Sequence, residues 1–294
     1  MSVRRRTRLP FPAPALGARD AIRLWRLVLA GWLVSATVLL PFTVVVGAVL
    51  APLDRLPTDL PLPSGEALTV VLGSVAPAAG PLVFAVLSGC LLSWLWGALW
   101  RASVVGWRLW TAANRPPTLG ELLGLGLVRF GRFLRLGLTS TSALVVGLAV
   151  VWTPAALVLA KTGEPPPSGR LLLVALIGGA GTVAVTTLVA LAALRGAWLL
   201  GRADRRSAVA AWLRGLDGAV RQPVASFGTL LLWWMPAVAA ALWPLLLGWR
   251  LPALGDGHHL MLTAVLQLAI LTQSVVRVAL LASFAPTSGL PLQS

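Results

Sequence analysis

Long apolar stretches recur along this chain and restrict it to a membrane fold more strongly than any other feature. Each stretch runs for roughly 20 residues or more, enough to cross a hydrocarbon layer about 30 Å thick as a helix. Membrane β-strands would be about ten residues long and would alternate in polarity. Hydropathy predicts an all-α membrane protein with six transmembrane helices, at about residues 27–50, 68–100, 136–160, 171–200, 226–249 and 260–284.

The charged residues are few and mostly basic, which bears on the partner class. Only 11% of the residues are charged, against about a quarter in soluble domains. The formal net charge is +15, but nucleic acid binding needs a solvated basic face, and here arginines separate apolar spans. We therefore predict anionic phospholipid, and no nucleic acid, as the counter-charge. The single cysteine, Cys90, excludes an intrachain disulfide or a cysteine metal site.

The distribution of basic residues predicts the orientation of the chain. Six crossings place both termini on one side, and the basic residues concentrate on that side. The opposite loops hold only four of the 24, which are Arg55, Lys161, Arg170 and Arg250. By the positive-inside rule the arginine-rich side is cytoplasmic. The sequence thus predicts a multi-pass protein of the bacterial inner membrane with cytoplasmic N and C termini.

A threefold internal pattern appears when odd and even spans are compared. Each odd span carries a proline and each even span carries an arginine in its cytoplasmic half, namely Pro41, Pro154 and Pro236, and Arg101, Arg195 and Arg277. This pattern predicts three helical-hairpin repeats within one membrane domain, at about residues 15–106, 107–203 and 204–285 of a domain over 1–285. Residues 286–294 lack hydrophobic periodicity and are predicted to form a disordered tail.

A basic amphipathic stretch precedes each odd span. Before the third span, Thr118 and Glu121 form a capping-box pattern that predicts a helix start. Before the fifth, an apolar stripe contains Trp212 and Leu213. We interpret these stretches as helices in the inner interface, with apolar faces among acyl chains and arginines among headgroups, including Arg129, Arg132, Arg135, Arg214 and Arg221. The alternative is that they are cytoplasmic extensions of the transmembrane helices.

The arginines and prolines of the repeat have two interpretations each. An arginine at mid-membrane costs about 2.5–3.5 kcal/mol on the insertion scale. Arg101, Arg195 and Arg277 either converge on an inward-facing cavity that holds an anionic group, or extend their side chains to the inner headgroups. The prolines are either hinges for alternating access or packing kinks of the kind that membrane helices tolerate.

Motifs for catalysis are largely missing from the sequence. The two histidines, His258 and His259, are adjacent on an outer loop and form a poor metal site. The spans contain no carboxylate for a proton relay and no histidine or lysine partner for a serine nucleophile. We therefore favour a non-enzymatic protein without cofactor or metal. Enzymatic activity is the third alternative, after lipid or partner association and transport.

Two segments carry a resemblance to a known group of proteins. They are Arg129-Phe130-Gly131-Arg132-Phe133-Leu134-Arg135, and Arg202-Ala203-Asp204-Arg205-Arg206-Ser207 followed by Ala211-Trp212-Leu213-Arg214-Gly215-Leu216. The chain resembles bacterial six-helix membrane proteins of unknown function, related in layout to the membrane domain found beside glycerophosphodiester phosphodiesterases. The resemblance implies a stand-alone inner-membrane protein without an established activity.

Two hypotheses of function follow from these patterns. The first is an integral membrane protein that associates with anionic lipid or with a membrane partner complex. The second is a transporter or lipid flippase for an anionic substrate, which would use a cavity lined by Arg101, Arg195 and Arg277. The missing membrane carboxylates count against a proton-coupled carrier. The substrate, the oligomeric state and the packing of the hairpins are not encoded in any motif.

Overall fold

The described part of the chain is all α-helical. The computed structural model describes residues 14–50, 73, 79–110, 116–160, 168–202, 207–250 and 257–285. These residues form eight helices in chain order, which are α1 (Pro14–Arg23), α2 (Trp25–Leu50), α3 (Ala79–Trp110), α4 (Leu119–Ala160), α5 (Ser168–Arg202), α6 (Ala208–Arg221), α7 (Pro223–Arg250) and α8 (Gly257–Ser283).

Five helices, α3, α4, α5, α7 and α8, are long and apolar enough to cross a membrane. A sixth candidate joins α1 to α2 across a bend of 79°. Helix α2 alone has 26 residues, and at 1.5 Å per residue its length is about 39 Å. Because α2 is long enough without α1, we treat α1 as lying outside the spans. The chain is therefore a multi-pass membrane protein with five or six candidate spans in its described part.

Consecutive long helices pack side by side in opposite directions. The α3–α4 pairing is antiparallel because Gly137 approaches Trp94 while Gly126, earlier in α4, approaches Leu99, later in α3. In the same way α5 runs antiparallel to the later part of α4, since Gly147 approaches Val185 while Gly181, earlier in α5, approaches Val151, later in α4. There the Trp152 indole donates a hydrogen bond of 2.9 Å to the Thr182 hydroxyl. Glycines at these crossings let the backbones approach, as is usual between membrane helices.

The first and last described helices meet at one end of the bundle. Helix α8 packs against α1, α2 and α7. A methyl group on Gly17 of α1 would overlap Ser283 Oγ and the carbonyl oxygen of Ala279. Only glycine permits this approach of α1 to the end of α8. The two ends of the described chain therefore lie at the same end of the bundle.

Side-chain burial divides the bundle into two halves. The fully buried apolar residues concentrate at the end where α1 meets α8, and include Leu24, Val105, Leu122, Phe133, Leu136, Leu191, Leu200 and Leu281. Towards the other end the apolar side chains face outward, as in Phe84, Leu87, Val146, Val150, Leu176 and Ile177. An outward apolar surface suits contact with acyl chains. The closely packed end is also the end that carries the arginines.

Two helices extend further than hydropathy predicts. The capping box is confirmed, because Thr118 N–H donates to Glu121 Oε2 at 2.8 Å and Glu121 N–H donates to Thr118 Oγ1 at 3.3 Å. From there α4 runs unbroken for 42 residues. The prediction of a separate interfacial helix before the third span was therefore wrong. Arg129, Arg132 and Arg135 lie on an extension of the transmembrane helix instead. The second span likewise continues beyond residue 100, to Trp110.

The helices continue through the prolines of the repeat. Pro41 lies inside α2, Pro154 inside α4 and Pro236 inside α7. Hinge motion at these positions stays a prediction, and so does the threefold repeat. The predicted tail at 286–294 lies outside the described residues.

Candidate functional site

The arginine-rich end of the bundle is assembled from segments far apart in the chain. Arg26 Nη1, at the start of α2, donates a hydrogen bond of 3.3 Å to the carbonyl oxygen of Pro117, which precedes α4. A methyl group on Gly106 of α3 would lie 3.6 Å from Arg129 Nη1. These contacts bring basic residues of α2, α3 and α4 together at one end, as the alternation of basic and acidic loops predicts.

Arg195 of α5 is buried, with 3% of its surface exposed. Its Nη2 donates hydrogen bonds to Ser226 Oγ at 2.7 Å and to Gln222 Oε1 at 3.2 Å, both at the junction of α6 and α7. The guanidinium carbon lies 5.5 Å from the centre of the Phe284 ring, in a cation–π contact. Its Nε has no hydrogen-bond partner in the described structure. Arg195 thus links three elements through neutral groups.

Two tryptophans reinforce the same junction. The Trp198 indole, one turn after Arg195 on α5, donates a hydrogen bond of 2.8 Å to the carbonyl oxygen of Leu281. The Trp233 indole of α7 donates one of 3.0 Å to Ser283 Oγ. Both acceptors belong to the last turn of α8. The end of α8 is therefore held by α5 and α7 as well as by α1.

Arg101 and Arg277 have neighbours other than those of Arg195. Arg101 Nε donates a hydrogen bond of 2.7 Å to the carbonyl oxygen of Gly97, on its own helix. The two guanidinium groups are close enough to repel each other electrostatically. Arg277 borders a cleft between α2, α3 and α8 whose other lining residues are Leu27, Gly31, Trp96, Trp100, Ser274 and Val278. The cleft volume is about 10 Å³, room for about one water molecule.

The structure therefore groups the three arginines of the repeat differently from the convergence hypothesis. It places Arg277 within electrostatic range of Arg101 and gives Arg195 separate partners. Whether any of them binds an anion stays a prediction. The partners of Arg195 could not be inferred from the sequence, because Gln222 and Ser226 are common polar residues without a motif.

Helix α6 has three distinct faces. One face, Ala211, Trp212, Gly215, Gly218 and Ala219, is buried. The prediction that Trp212 lies among acyl chains was therefore wrong, since its ring packs into the protein core. A second face, Val209, Leu213 and Val220, is apolar and exposed, and a third carries Arg214, Asp217 and Arg221. At 100° per residue, these two exposed faces are roughly 100° apart.

Asp20 is a buried carboxylate within the basic end. Only 1% of its surface is exposed, and Arg108 Nε lies 3.5 Å from its Oδ2. Its Oδ1 has no hydrogen-bond partner in the described structure. Burial raises the pKa of Asp20 above its usual 3.8, while Arg108, Arg23 and Arg19 act in the opposite direction. The sequence signal was a lone acid in a basic amphipathic stretch, which sequence analysis did not single out.

The raised pKa of Asp20 predicts a pH-dependent stability. The folded protein holds the Asp20 proton more tightly than the unfolded chain, so this group stabilises the fold less as pH rises from about 4 through the raised pKa. In Asp20→Asn the side chain cannot ionise. We expect the thermal midpoint of wild type, measured relative to Asp20→Asn, to fall between pH 4 and pH 7. A relative midpoint that rises over this range would show that Arg108 outweighs burial.

The described site residues supply cations and neutral donors rather than a catalytic set. No group of three or more His, Cys, Asp or Glu residues suited to a metal occurs among the residues that the structure describes. The three described carboxylates are all engaged, Asp20 with Arg108, Glu121 with the start of α4, and Asp217 with Arg221 at 2.8 Å. This arrangement can attract and hold anions.

Comparison with protein-family models, with curated proteins and with solved structures found no match for this chain. The resemblance to bacterial six-helix membrane proteins of unknown function therefore stays a prediction. The class that the fold defines is a multi-pass α-helical membrane protein.

Proposed function

We propose that this chain is a non-enzymatic protein of the bacterial inner membrane whose arginine-rich end associates with anionic phospholipid on the cytoplasmic side. The three faces of α6 are the observation that carries the proposal. Its buried face leaves an apolar face and a basic face exposed side by side. A helix at the membrane interface needs both, one for acyl chains and one for headgroups.

Helix α1 has a similar arrangement. Its buried residues, Gly17, Asp20 and Ala21, face the bundle. Ile22 of α1 is an exposed apolar side chain, and the exposed Arg19 lies on the same outward side. Trp25, at the start of α2, is exposed as well. Trp25 also stacks beneath the Arg26 guanidinium, 5.3 Å from its ring centre. Indole rings prefer the headgroup layer, and arginines there meet lipid phosphates. Two separate helices thus support the same placement.

The charges at this end call for an external counter-ion. The described carboxylates are engaged within the protein, whereas the exposed side chains of Arg135, Arg202 and Arg214 make no ion pair with described residues. Each basic residue near an anionic membrane surface contributes about 1 kcal/mol of binding. Anionic headgroups are the counter-charge that a membrane supplies. A membrane partner complex with an acidic surface would meet the same requirement.

We expect wild type purified from mixed membranes to retain phosphatidylglycerol in excess over phosphatidylethanolamine. The variant Arg135→Gln/Arg202→Gln/Arg214→Gln should lose several-fold of that excess, because it lacks three exposed charges that make no ion pair with described residues. Its matched control is Arg55→Gln/Arg170→Gln/Arg250→Gln, which removes three charges from the predicted outer side. Mass spectrometry of the co-purified lipids gives the ratio. Equal ratios in all three proteins would refute the proposal.

Transport of an anionic substrate is the second candidate, and the proximity of Arg101 to Arg277 favours it. Two observations count against it. The described cleft beside Arg277 has room for about one water molecule, and Arg195 is engaged with Ser226 and Gln222. A phosphate-dependent uptake or lipid-scrambling activity in proteoliposomes would establish it.

A further inference from the structure

We propose that the cleft between α2, α3 and α8 binds one anionic phosphate group at its mouth, held by Arg277 of the cleft lining and by the neighbouring Arg101. The phosphate belongs either to a phospholipid headgroup or to a soluble phosphate ester. The inference deepens the proposed function, because it adds one defined binding position to the general attraction of the basic end. It rests on the donors around the cleft, on the pairing of two like charges, and on the depth of the site.

Hydrogen-bond donors surround this cleft. A methyl group on Gly31 would lie 3.6 Å from the Trp96 indole nitrogen, so this donor borders the space that the glycine leaves open. Ser274 Oγ lies 3.7 Å from the same point, but its hydroxyl already donates to the carbonyl oxygen of Ile270 at 3.0 Å. A methyl group on Gly97 would lie 3.1 Å from Arg101 Nη2 and 4.0 Å from the Trp100 indole nitrogen. Indole and guanidinium nitrogens donate but cannot accept. Such a donor-rich lining suits an anion.

The two arginines lack protein counter-charges. Among the described residues Arg277 has neither a hydrogen bond nor an ion pair for its side chain, and Arg101 has only the carbonyl oxygen of Gly97. Their guanidinium groups repel each other, and repulsion is strengthened where water is scarce. An anion between them would replace this repulsion with two attractive, charge-assisted hydrogen-bond pairs. Guanidinium groups match phosphate oxygens in geometry as well as charge.

Size and depth favour a phosphate at the mouth of the cleft. A volume of about 10 Å³ admits roughly one oxygen-sized group, so the rest of the ligand must lie outside. Arg277 is exposed and lies six residues before the end of α8 at Ser283, about 9 Å along the helix. The headgroup layer is about 5–7 Å thick on each side. A flexible arginine side chain can span the remaining distance.

Arg277→Gln is the sharpest variant, because the Arg277 side chain makes no hydrogen bond or ion pair with described residues that folding would lose. Its charge-matched control is Arg250→Gln, at the far end of α7. We would measure the affinity of each purified protein for phosphatidylglycerol and phosphatidylcholine by native mass spectrometry. Wild type and Arg250→Gln should bind one phosphatidylglycerol tightly, and Arg277→Gln should bind it roughly tenfold more weakly or worse. The affinity of Arg101→Lys/Arg277→Lys for phosphatidylglycerol should lie between those of wild type and Arg277→Gln, since lysine keeps the charge but loses the planar, forked geometry of the guanidinium group.

Two outcomes separate this inference from the proposed function. If Arg277→Gln binds phosphatidylglycerol as tightly as wild type while an overall excess of this lipid persists, the site is refuted and the proposed function survives. If wild type shows no preference for phosphatidylglycerol over phosphatidylcholine, the proposed function is refuted; the site is refuted as well if Arg277→Gln binds both lipids as tightly as wild type. If the site is present, competition between glycerol phosphate and bound phosphatidylglycerol identifies the source of the phosphate group. Displacement of the bound lipid indicates a site for soluble phosphate esters, and no displacement indicates a lipid site.

Discussion

Gly215→Ala should destabilise the protein by about 1–3 kcal/mol, the usual cost of overpacking a close contact. The added methyl group would overlap the carbonyl oxygen of Ala192 and lie 2.8 Å from the backbone nitrogen of Gly196. Both atoms belong to the backbone of α5, so they cannot move aside without moving that helix. Helix α6 as a whole must shift away. We expect Gly215→Ala to have a lower midpoint of thermal unfolding than wild type. Tryptophan fluorescence of the protein in detergent measures this midpoint.

The matched control is Gly228→Ala on α7. A methyl group at this position would meet no neighbouring heavy atom within 4 Å among the described residues. Alanine also favours the helix over glycine by up to about 1 kcal/mol. Its midpoint should equal or slightly exceed that of wild type. If Gly215→Ala were as stable as Gly228→Ala, the close packing of α6 on α5 would be wrong. The contact matters for function because it fixes which faces of α6 remain exposed.

Membrane embedding was predictable from the sequence because it depends on local composition. The candidate spans coincide with runs of apolar residues, and the start of α4 coincides with the capping box of Thr118 and Glu121. Burial of apolar surface and satisfaction of the first backbone donors act over a few residues. Patterns of that length can be read from the chain directly.

The extension of α4 and the inward position of Trp212 were not predictable in this way. A basic amphipathic stretch has the same periodicity whether it lies on a membrane or continues a transmembrane helix. The difference is tertiary, since Leu122 and Phe133 of α4 are buried in the core at the arginine-rich end. Trp212 likewise packs inward because small residues, Gly215 and Ala219, share its face and admit α5.

The grouping of the arginines was also beyond the reach of the sequence. The predicted repeat assigns Arg101, Arg195 and Arg277 equivalent positions, yet Arg101 interacts electrostatically with Arg277 while Arg195 bonds to Ser226 and Gln222. The partners of Arg195 are 27 and 31 positions away, and their identity depends on how α7 approaches α5. Charge and position in the sequence single out these arginines as candidates, and helix packing decides what each one contacts.

Arg195 is a buried cation that depends on neutral acceptors. Ser226 Oγ accepts its shortest hydrogen bond, at 2.7 Å, and donates a hydrogen bond to the carbonyl oxygen of Gln222, also at 2.7 Å. The serine hydroxyl therefore acts both as a hydrogen-bond acceptor and as a donor. Removing an acceptor from a buried charge costs about 1.5–3 kcal/mol, more than removing one from a neutral donor. The loss is concentrated where α5, α6 and α7 meet.

Ser226→Ala should therefore destabilise wild type by about 1.5–3 kcal/mol and should cost far less in an Arg195→Met background, where no charge is left without its partner. Ser140→Ala is the control, since the Ser140 hydroxyl bonds only to the carbonyl oxygen of Leu136 on its own helix at 2.8 Å. Thermal or denaturant unfolding of the four proteins of the cycle gives the coupling energy. A coupling near zero would mean that Ser226 does not stabilise the Arg195 charge, and the link between α5 and the start of α7 would then rest on packing alone.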